Sequence, residues 1–419
     1  MDPADSQLFV ASSPRQRATK LVEAPKSIEA RWLLRVLKAA GNPPIEFELG
    51  WSGERVTAEG TPLHCVRLIN RGVWLGLLAD FEVRFGDAYS QGEIDITGDL
   101  VGFMSTVFRA YEKVGGDGLL AGRMAGWLRR ARPNTLRSSR DNIHRHYDLG
   151  NDFYALWLGE TMAYTCAYFP TAEATLDQAQ IAKMDLVCQK LRIGAGDSVV
   201  EAGCGWGGLA RHIASKYGAK VRSFNISREQ IDYARHRARQ DGLERKIEFV
   251  EDDYRNIDGH YDVFVSVGML EHVGRENYER LGRIIRGALN SRGRGLIHSI
   301  GRNRPEPLHP WIERRIFPGA YAPSLGEMMR IFEPVNLSVL DVENLRLHYA
   351  LTLKQWLARF EASKDQIREL SFDEKFIRMW RLYLAGSIAA FETGAMQLFQ
   401  VVFTPATNNR IPLTRSAKY

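Results

Sequence analysis

The chain has 419 residues, with 56 Lys and Arg against 50 Asp and Glu, 45% hydrophobic residues and a formal net charge of +6. This length allows roughly two to three domains, and the composition excludes a collagen, a disordered chain and a small disulfide scaffold. The longest apolar stretches, such as 72–79, fall well short of the ~20 residues that a membrane-spanning helix needs. The charge alone is compatible with a nucleic acid or an anionic membrane as partner, so its distribution matters more.

The N-terminal residues and the cysteines indicate the compartment. Residues 1–17 contain two Asp and no sustained apolar core, so they do not form a secretory signal. The four cysteines form no CxxC pair and accompany no histidine cluster, which argues against a disulfide framework and a metal site; they are Cys65, Cys166, Cys188 and Cys204. We expect a reduced, cytoplasmic protein without a metal.

The first part of the chain, about 1–111, predicts a small α+β module. It combines a helical segment at 28–40 with short alternating runs at 45–49 and 66–70, and it holds no recognisable catalytic cluster.

A basic linker is predicted at 121–145. Pro133 and two adjacent serines mark it as a linker, and Asp141 is its single acid. A solvated linker is the simplest interpretation. Contact with anionic lipid is the main alternative, since each basic residue near such a surface contributes ~1 kcal/mol. Nucleic acid is least favoured, because Trp127 is the only aromatic residue and no nucleic-acid-binding signature accompanies it. The basic residues are Arg123, Arg129, Arg130, Arg132, Arg137, Arg140 and Arg145.

Beyond residue 193, strand and helix signals alternate, which predicts a mostly parallel sheet with helices on both faces. The candidate strands are 197–201, 220–226, 247–250, 261–267 and 295–300, and the candidate helices are 209–217 and 228–240. The region 353–399 has helical periodicity and many aromatic residues. We expect its helices to cover a site.

The sharpest local signal is VVEAGCGWGG at 199–208, a strand that leads into a glycine-rich turn and a helix. Gly203, Gly205 and Gly207 omit side chains where the backbone must turn tightly and approach a ligand. Such a turn is compatible with a purely structural role, with a dinucleotide and with S-adenosylmethionine.

The acids around this turn favour S-adenosylmethionine over NAD. A typical NAD site has a carboxylate at the end of the second strand, whereas the chain reads SFNIS at 223–227. Glu201 ends the first strand, where it is placed to meet a methionine amino group. Asp252 and Asp253 follow the third strand candidate and are placed to reach an adenine amine.

Eight longer strings occur in an order that marks a known family. They are NIHRHYDLGNDFY (142–154), MAYTCAYF (162–169), EAGCGWGGLA (201–210), VSVGMLEHVG (265–274), LIHSIG (296–301), PWIERRIFP (310–318), HYALTLKQW (348–356) and QLFQVVF (397–403). In these strings the chain resembles the cyclopropane-fatty-acyl-phospholipid synthases and the related mycolic acid methyltransferases. The resemblance covers about 28–403.

The resemblance implies the fold class and the domains. We expect an α/β, Rossmann-type S-adenosylmethionine-dependent methyltransferase domain with a mixed seven-stranded sheet at 146–419. A smaller N-terminal α+β lipid-engaging domain at 1–120 and the basic linker precede it.

The resemblance also implies the cofactor S-adenosylmethionine and, as substrate, an unactivated cis double bond in a lipid acyl chain. The positions that match the family's cofactor contacts, besides Glu201, are Tyr164, Thr165, Gly203, Gly205, Gly207, Asn225, Ile226, Gln230, Asp253, Tyr254 and His272.

The family holds a bicarbonate ion beside the sulfonium. The matching positions are Cys166, Glu271, His298, Tyr349 and the backbone of Ile300. An alkene is a poor nucleophile, so the methyl must be held in line with it in a dry cavity. Transfer leaves a carbocation, which aromatic residues stabilise, and a base must remove a proton from the new methyl group before the ring closes. Bicarbonate can be that base.

Taken alone, each of these residues has a structural alternative. Cys166 would be a small core residue, Glu271 with His272 an ion pair or cap, His298 a hydrogen-bonded core histidine and Tyr349 a packed aromatic.

Two positions depart from the family pattern. Asn225 stands where relatives have Thr, which retains a polar side chain, and Ser387 stands where relatives often have Cys. Because alkene methylation needs no covalent enzyme intermediate, we interpret Ser387 as structural.

We predict an enzyme that transfers the methyl of S-adenosylmethionine to a cis double bond of a phospholipid acyl chain and forms a cyclopropane with bicarbonate as base. Its expected location is cytoplasmic, peripheral to the inner face of the membrane, with phospholipid acyl chains as partner, no nucleic acid, and a homodimer as one option. The alternatives are a methyltransferase of the same lineage that makes a methyl- or methylene-branched lipid, and a non-catalytic lipid-binding relative.

Overall fold

The computed structural model describes residues 25–114 and 149–414. The first range folds around a four-stranded sheet and the second around a seven-stranded sheet. The predicted basic linker at 121–145 lies outside the described residues. No helix in the two described ranges is both long and apolar enough to cross a bilayer.

The N-terminal module, residues 25–114, is an α+β unit, as predicted. Its sheet has the order β2-β1-β3-β4, with β1 parallel to β3. The prediction of a single helix was incomplete, because α2, α3 and α4 are also helical. The elements are α1 (Ile28–Ala39), β1 (Ile45–Leu49), β2 (Arg55–Thr57), β3 (His64–Leu68), α2 (Arg71–Ala79), α3 (Phe81–Ser90), β4 (Ile94–Thr97) and α4 (Leu100–Lys113).

The helix α1 shows how the sequence sets an element of this module. The Ser27 side chain accepts a hydrogen bond from the Ala30 amide, which caps the helix. Leu33 and Leu37 are buried one turn apart, so one face of α1 packs into the core.

The larger unit, residues 149–414, alternates strands and helices up to the end of β9. Its elements are α5 (Asn151–Leu158), α6 (Leu176–Leu191), β5 (Ser198–Ala202), α7 (Gly208–His212, followed by a π-helical turn, Ile213–Tyr217), β6 (Lys220–Asn225), α8 (Arg228–Gln240), β7 (Ile247–Glu251), β8 (Tyr261–Val267), α9 (Tyr278–Ala288), β9 (Leu289–Gly301), α10 (Pro310–Arg315), α11 (Leu325–Met328), β10 (Leu337–Asn344), α12 (Arg346–Ala362), α13 (Lys364–Glu369), α14 (Glu374–Thr393) and β11 (Gln397–Pro405).

The large sheet is mixed, with the strand order β10-β11-β9-β8-β5-β6-β7. The strands β7, β6, β5, β8 and β9 pair in parallel, and β11 is antiparallel to both of its neighbours. This arrangement confirms the predicted Rossmann-type fold with seven strands.

One expectation about the end of the chain was wrong, and one strand there was not predicted. The helical region predicted at 353–399 stops at Thr393, and Gln397 begins the strand β11. All nine residues of β11 are buried, so the strand lacks the alternation by which half-buried strands are recognised. β10 was not predicted.

The N-terminal module is fixed to the larger unit by contacts with α10 and α14. The Trp311 indole packs directly against Gly86, and a Cβ on Gly86 would lie 2.4 Å from the indole Nε1. Trp311 donates a hydrogen bond to Asp87 at 3.2 Å, and Arg315 binds both oxygens of that carboxylate at 2.9 and 2.6 Å. Arg378 of α14 donates to the backbone carbonyls of Tyr89 and Ile94.

Candidate active site

A cavity lies at the carboxyl ends of the parallel strands, where open α/β sheets bind their ligands. Every predicted cofactor residue except Gly207 lines it. These residues are Tyr164, Thr165, Glu201, Gly203, Gly205, Asn225, Ile226, Gln230, Asp253, Tyr254 and His272. The predicted cofactor residues therefore meet at one cavity, and Lys183, Trp206 and Met269, which were not predicted, also line it.

The glycine turn after β5 has positive φ angles, which glycine tolerates best. They are 85° at Gly203 and 51° at Gly205. A Cβ on Gly205 would meet no protein atom within 4 Å, so this position faces open space in the cavity. A Cβ on Gly207 would lie 2.8 Å from both Ala234 and Phe249. Gly207 thus lets α7 pack closely against α8 and β7, rather than lining the cavity.

Two buried charges of opposite sign lie beside this turn. Glu201 accepts a hydrogen bond from the Ser223 hydroxyl at 2.7 Å, and burial raises its pKa to about 7. Lys183 donates to the Thr165 hydroxyl at 3.0 Å, and burial lowers its pKa to about 8. The positive charge of Lys183 partly offsets the effect of burial on Glu201. Both groups are therefore poised near neutral pH.

Lys183 was missed because lysine usually lies on an exposed helix face. A signal was nevertheless present in α6. Ala179, Lys183 and Val187 follow each other at intervals of four residues, and all three are buried. Ala179 and Val187 are apolar. A lysine in an apolar stripe predicts a buried cation.

The polar residues at the end of β6 and after β7 form two separate hydrogen-bonded groups. The Asn225 side chain donates to Gln230 at 2.8 Å and to the Gly205 carbonyl at 3.3 Å. Asn225, which replaces the family's Thr, thereby ties the end of β6 to the glycine turn. The Asp253 carboxylate accepts from the Arg255 amide at 2.9 Å and lies 3.2 Å from its guanidinium.

The five residues predicted to hold an anion, from here called the anion cluster, are Cys166, Glu271, His298, Ile300 and Tyr349, and none of them is part of the cavity lining. Thr165, which directly precedes Cys166, and His272, which directly follows Glu271, both line the cavity. His298 pairs in the sheet with Val267, another lining residue. The four side chains expected to contact the anion are buried.

Two atoms of the anion cluster are buried without a hydrogen-bond partner among the described residues. They are Oε2 of Glu271 and Nε2 of His298. The other oxygen of Glu271 accepts from the Ile300 amide at 2.6 Å. That amide, expected to face the anion, therefore binds Glu271, and its contact with an anion stays a prediction. Because buried polar groups are normally paired, the two bare atoms indicate a site for a polar ligand.

The titration of these groups follows from their burial. Burial raises the pKa of Glu271 to about 7. Burial lowers the pKa of His272 to about 4, so this imidazole is neutral at physiological pH. Burial also lowers the pKa of His298, and the charges of Lys183 and Lys190 lower it further.

Cys166 and Tyr349 meet at one backbone carbonyl. The Cys166 sulfur lies 3.9 Å from the Leu345 oxygen, to which the Tyr349 amide donates at 3.1 Å. Burial raises the pKa of Cys166, so its thiol stays protonated and is a donor rather than a nucleophile. The Tyr349 ring packs on Phe391 at a centroid distance of 4.6 Å.

Aromatic side chains cover one side of the cavity. The Tyr164 hydroxyl hydrogen-bonds that of Tyr383 at 2.9 Å, and its ring lies 5.3 Å from Trp356. Trp206, which lines the cavity, packs against Tyr154 at 5.0 Å. α12 and α14, which carry Trp356 and Tyr383, contact Tyr164, but no residue of either helix lines the cavity, so their role as its cover stays a prediction.

The family model described as mycolic acid cyclopropane synthetase matches residues 134–401. The chain belongs to this family. It is an S-adenosylmethionine-dependent methyltransferase, and the family activity is the methylation or cyclopropanation of lipid acyl chains. The alternative of a non-catalytic relative has no support from these matches.

Two curated relatives show how far the similarity extends. The probable fatty acid methyltransferase of Pseudomonas putida is 35% identical over 388 residues, which cover 90% of this chain and 96% of that protein. The cyclopropane-fatty-acyl-phospholipid synthase of Escherichia coli (strain K12) is 37% identical over 271 residues, 64% of this chain and 69% of that protein.

A solved structure supports both the fold and the cofactor. The mycolic acid cyclopropane synthase CmaA1, crystallised with SAH and CTAB, superposes with a TM-score of 0.60 at 30% identity. The match covers 63% of this chain and 97% of that one. S-adenosylmethionine is the cofactor of the family fold.

Proposed function

We propose that this enzyme forms a cyclopropane ring at a cis double bond of a phospholipid acyl chain, with bicarbonate as the base. The observation that carries the proposal is the pair of bare buried atoms, Oε2 of Glu271 and Nε2 of His298, beside the cofactor cavity. A small planar oxyanion fits such a cluster, because a neutral imidazole can donate to it and a protonated Glu271 can also donate. Glu271 is protonated in a substantial share of molecules near pH 7.

The residues of the cavity suit the binding of the cofactor. Glu201 is placed for its amino group, and Asn225 and Asp253 lie further along the lining. When bound, S-adenosylmethionine supplies an electrophilic methyl group. The aromatic cover with Tyr164 and Trp206 excludes water from the reacting carbon atoms and presents π faces to the positive charge that develops there.

Three of the protein's own candidate bases are engaged, which leaves the bare Oε2 of Glu271 and an external anion as the groups that can take the proton. Glu201 accepts from Ser223, Asp253 is paired with Arg255, and Nδ1 of His298 lies 3.0 Å from the Gln400 amide nitrogen. Bicarbonate held by the anion cluster would supply a basic oxygen at this place.

Removal of bicarbonate tests the base. In buffer stripped of carbon dioxide we expect turnover with cis-unsaturated phospholipid vesicles to fall at least ~10-fold, and added bicarbonate to restore it. An equal concentration of sodium chloride is the control for ionic strength. A rate that is indifferent to bicarbonate would show that the base is wrong, while the methyltransferase assignment would stand.

A second product class is supported by the match to the Pseudomonas putida protein. That relative is named a probable fatty acid methyltransferase, and it aligns with 90% of this chain. Loss of a different proton from the carbocation gives a methyl-branched olefin, and a hydride shift followed by loss of a methyl proton gives a methylene branch. The ring and the branch give the same gain of one methylene by mass spectrometry of lipids from a host without cyclopropanes. Only the branch retains an olefin, so a further gain of two hydrogens on mild hydrogenation separates it from the ring.

We further propose that the enzyme reaches its substrate by peripheral docking on the membrane. Two apolar side chains of the N-terminal module support this, since Leu63 and Leu75 are 70% and 58% exposed. Arg71, on α2 with Leu75, is exposed, but its guanidinium pairs with Glu29 at 3.3 Å and so adds no net charge. The basic linker at 121–145 supplies positive charge.

Vesicle binding tests the docking proposal. Replacing Arg129, Arg130, Arg132 and Arg137 with Gln should weaken binding to anionic vesicles by ~10-fold or more at low salt, because each basic residue contributes ~1 kcal/mol at such a surface. The difference should shrink as salt screens the charges. Neutral phosphatidylcholine vesicles are the control. Unchanged binding to anionic vesicles would exclude the linker as a docking element.

A further inference from the structure

A chain of buried side chains leads from the protein surface to His298, and its function is not explained by the cofactor cavity. Glu343 of β10 pairs with Lys190 of α6, and Lys190 donates to the Gln400 side-chain oxygen at 2.5 Å. The Gln400 amide nitrogen lies 3.0 Å from Nδ1 of His298. Lys190, Gln400 and His298 are at most 4% exposed.

The chemistry of these groups fixes the direction of each hydrogen bond. A lysine ammonium can only donate, so the oxygen of the Gln400 amide must face Lys190. The NH₂ group of Gln400 must then face His298, and it donates to Nδ1 of the ring. Nδ1 is therefore an acceptor and carries no proton.

The state of the other ring nitrogen follows. Burial and the positive charges of Lys183 and Lys190 hold the pKa of His298 well below its usual value, so the ring is neutral. A neutral imidazole has one proton, which must lie on Nε2 because Nδ1 is an acceptor. Nε2 is the atom that is buried without a partner in the described residues.

We propose that Gln400, held in orientation by Lys190, is a positioning residue that fixes His298 as its Nε2–H tautomer and thereby supplies the anion cluster with a permanent hydrogen-bond donor. The role toward the anion rests on the proposed function. In this state His298 presents N–H and no basic nitrogen to the cluster, so it anchors an oxyanion and does not compete with it for the substrate proton.

The strand register explains how the fold holds this arrangement. Gln400 on β11 pairs directly with His298 on β9 and with Glu343 on β10. The three side chains thus share one level of the sheet, and Lys190 reaches them from α6. The Gln400 amide contacts Lys190 through its oxygen and His298 through its nitrogen. Turning the amide over, or shifting β11 by one residue, would break these contacts.

Nitrogen NMR of histidine-labelled protein tests the tautomer directly. In the wild type at neutral pH, we expect the His298 signals of a protonated Nε2 and a bare Nδ1, assigned by their loss in His298→Asn. In Gln400→Glu the oxygen that faces Nδ1 can only accept, so Nδ1 must carry a proton and its signal must move to the protonated range. Turnover should fall ~10- to 100-fold, with cofactor affinity within ~2-fold.

Gln397→Glu is the matched control. Gln397 is buried on the same strand and bonds to Asn344 and Gly394 instead of His298. The Gln397→Glu substitution introduces the same charge as Gln400→Glu, but the His298 signals should keep their wild-type pattern. A wild-type ring that is protonated on Nδ1, or a Gln400→Glu spectrum like that of the wild type, would overturn the proposal.

The NMR result is independent of the chemistry. If the tautomer is as expected but the rate is indifferent to bicarbonate, the positioning of His298 stands and the proposed base is wrong. If Gln400→Glu does not fold, the wild-type spectrum alone decides the tautomer.

Discussion

Glu271→Gln should lower turnover at least ~100-fold while cofactor affinity stays within ~2-fold of the wild type. The amide oxygen can still accept from the Ile300 N–H, which Glu271 binds at 2.6 Å, so the local fold is kept. The bare Oε2 becomes an NH₂ group, which can donate as the protonated acid does but cannot accept a hydrogen bond or a proton, so the anion cluster loses its titratable member. Loss of one preorganised contact to a reacting group typically costs this much. Steady-state kinetics and calorimetric titration with S-adenosylhomocysteine measure the two effects.

The same substitution should stabilise the protein at alkaline pH. Because burial raises the pKa of Glu271 from 4.5 to about 7, the folded state binds more protons than the unfolded state between these values. Its contribution to stability is full below pH 4.5 and is lost as pH rises through about 7. Gln cannot ionise, so the unfolding free energy at pH 8 should rise by up to about 3 kcal/mol, with little change at pH 5.

Glu244→Gln is the control for both measurements, since Glu244 is exposed. It should leave turnover and the pH dependence of unfolding unchanged. Near-wild-type turnover in Glu271→Gln would remove Glu271 from the anion cluster. An equal stability change at pH 5 and pH 8 would contradict the raised pKa.

Gly205→Val should raise the dissociation constant of S-adenosylmethionine ~100-fold or more. The new side chain meets no protein atom at its Cβ, so it would project into the cavity and occupy cofactor space. Its φ of 51° also adds backbone strain, which costs ~1–2 kcal/mol for a residue with a Cβ. Calorimetric titration measures the affinity, and thermal unfolding measures the strain.

Gly242→Val separates the two effects. Gly242 has a φ of 67° and open space where a Cβ would stand, but it lies in the turn after α8 and not in the cavity. It should lose a similar amount of stability and bind the cofactor normally. Wild-type affinity in Gly205→Val would mean that the cofactor binds elsewhere.

The glycine turn could be predicted from the sequence because its signals are local. The strand, the turn and the helix follow each other within about ten residues, and their order alone indicates a ligand site. The role of Gly207 could not be predicted, because Ala234 and Phe249, which need its missing side chain, lie on other elements.

The contacts of the anion cluster, unlike the glycine turn, could not be predicted from local sequence. His298 and Gln400 are 102 residues apart, and nothing in either local sequence connects them. Without the family resemblance, His298 would have remained a core histidine, and the resemblance assigned no role to Lys190 or Gln400. Pairing of this kind depends on strand register, which single-sequence patterns specify poorly.

Helices of the N-terminal module were missed for a different reason. α2 reads RGVWLGLLA, and only Val73 and Leu77 are buried while Leu75 and Leu78 are exposed. Apolar residues therefore occur on both faces, and the periodicity that marks an amphipathic helix is absent.

The close fit of Trp311 against Gly86 has a consequence for protein engineering. Relatives differ in how much of this chain they match, with 90% for the Pseudomonas putida protein and 63% for CmaA1. A chimera joined at the linker would set a foreign module against Trp311, Arg315 and Arg378, and any side chain at the position of Gly86 would collide with the indole. The N-terminal module therefore cannot be exchanged by itself. A functional exchange must also include α10 and the face of α14 that contacts the module.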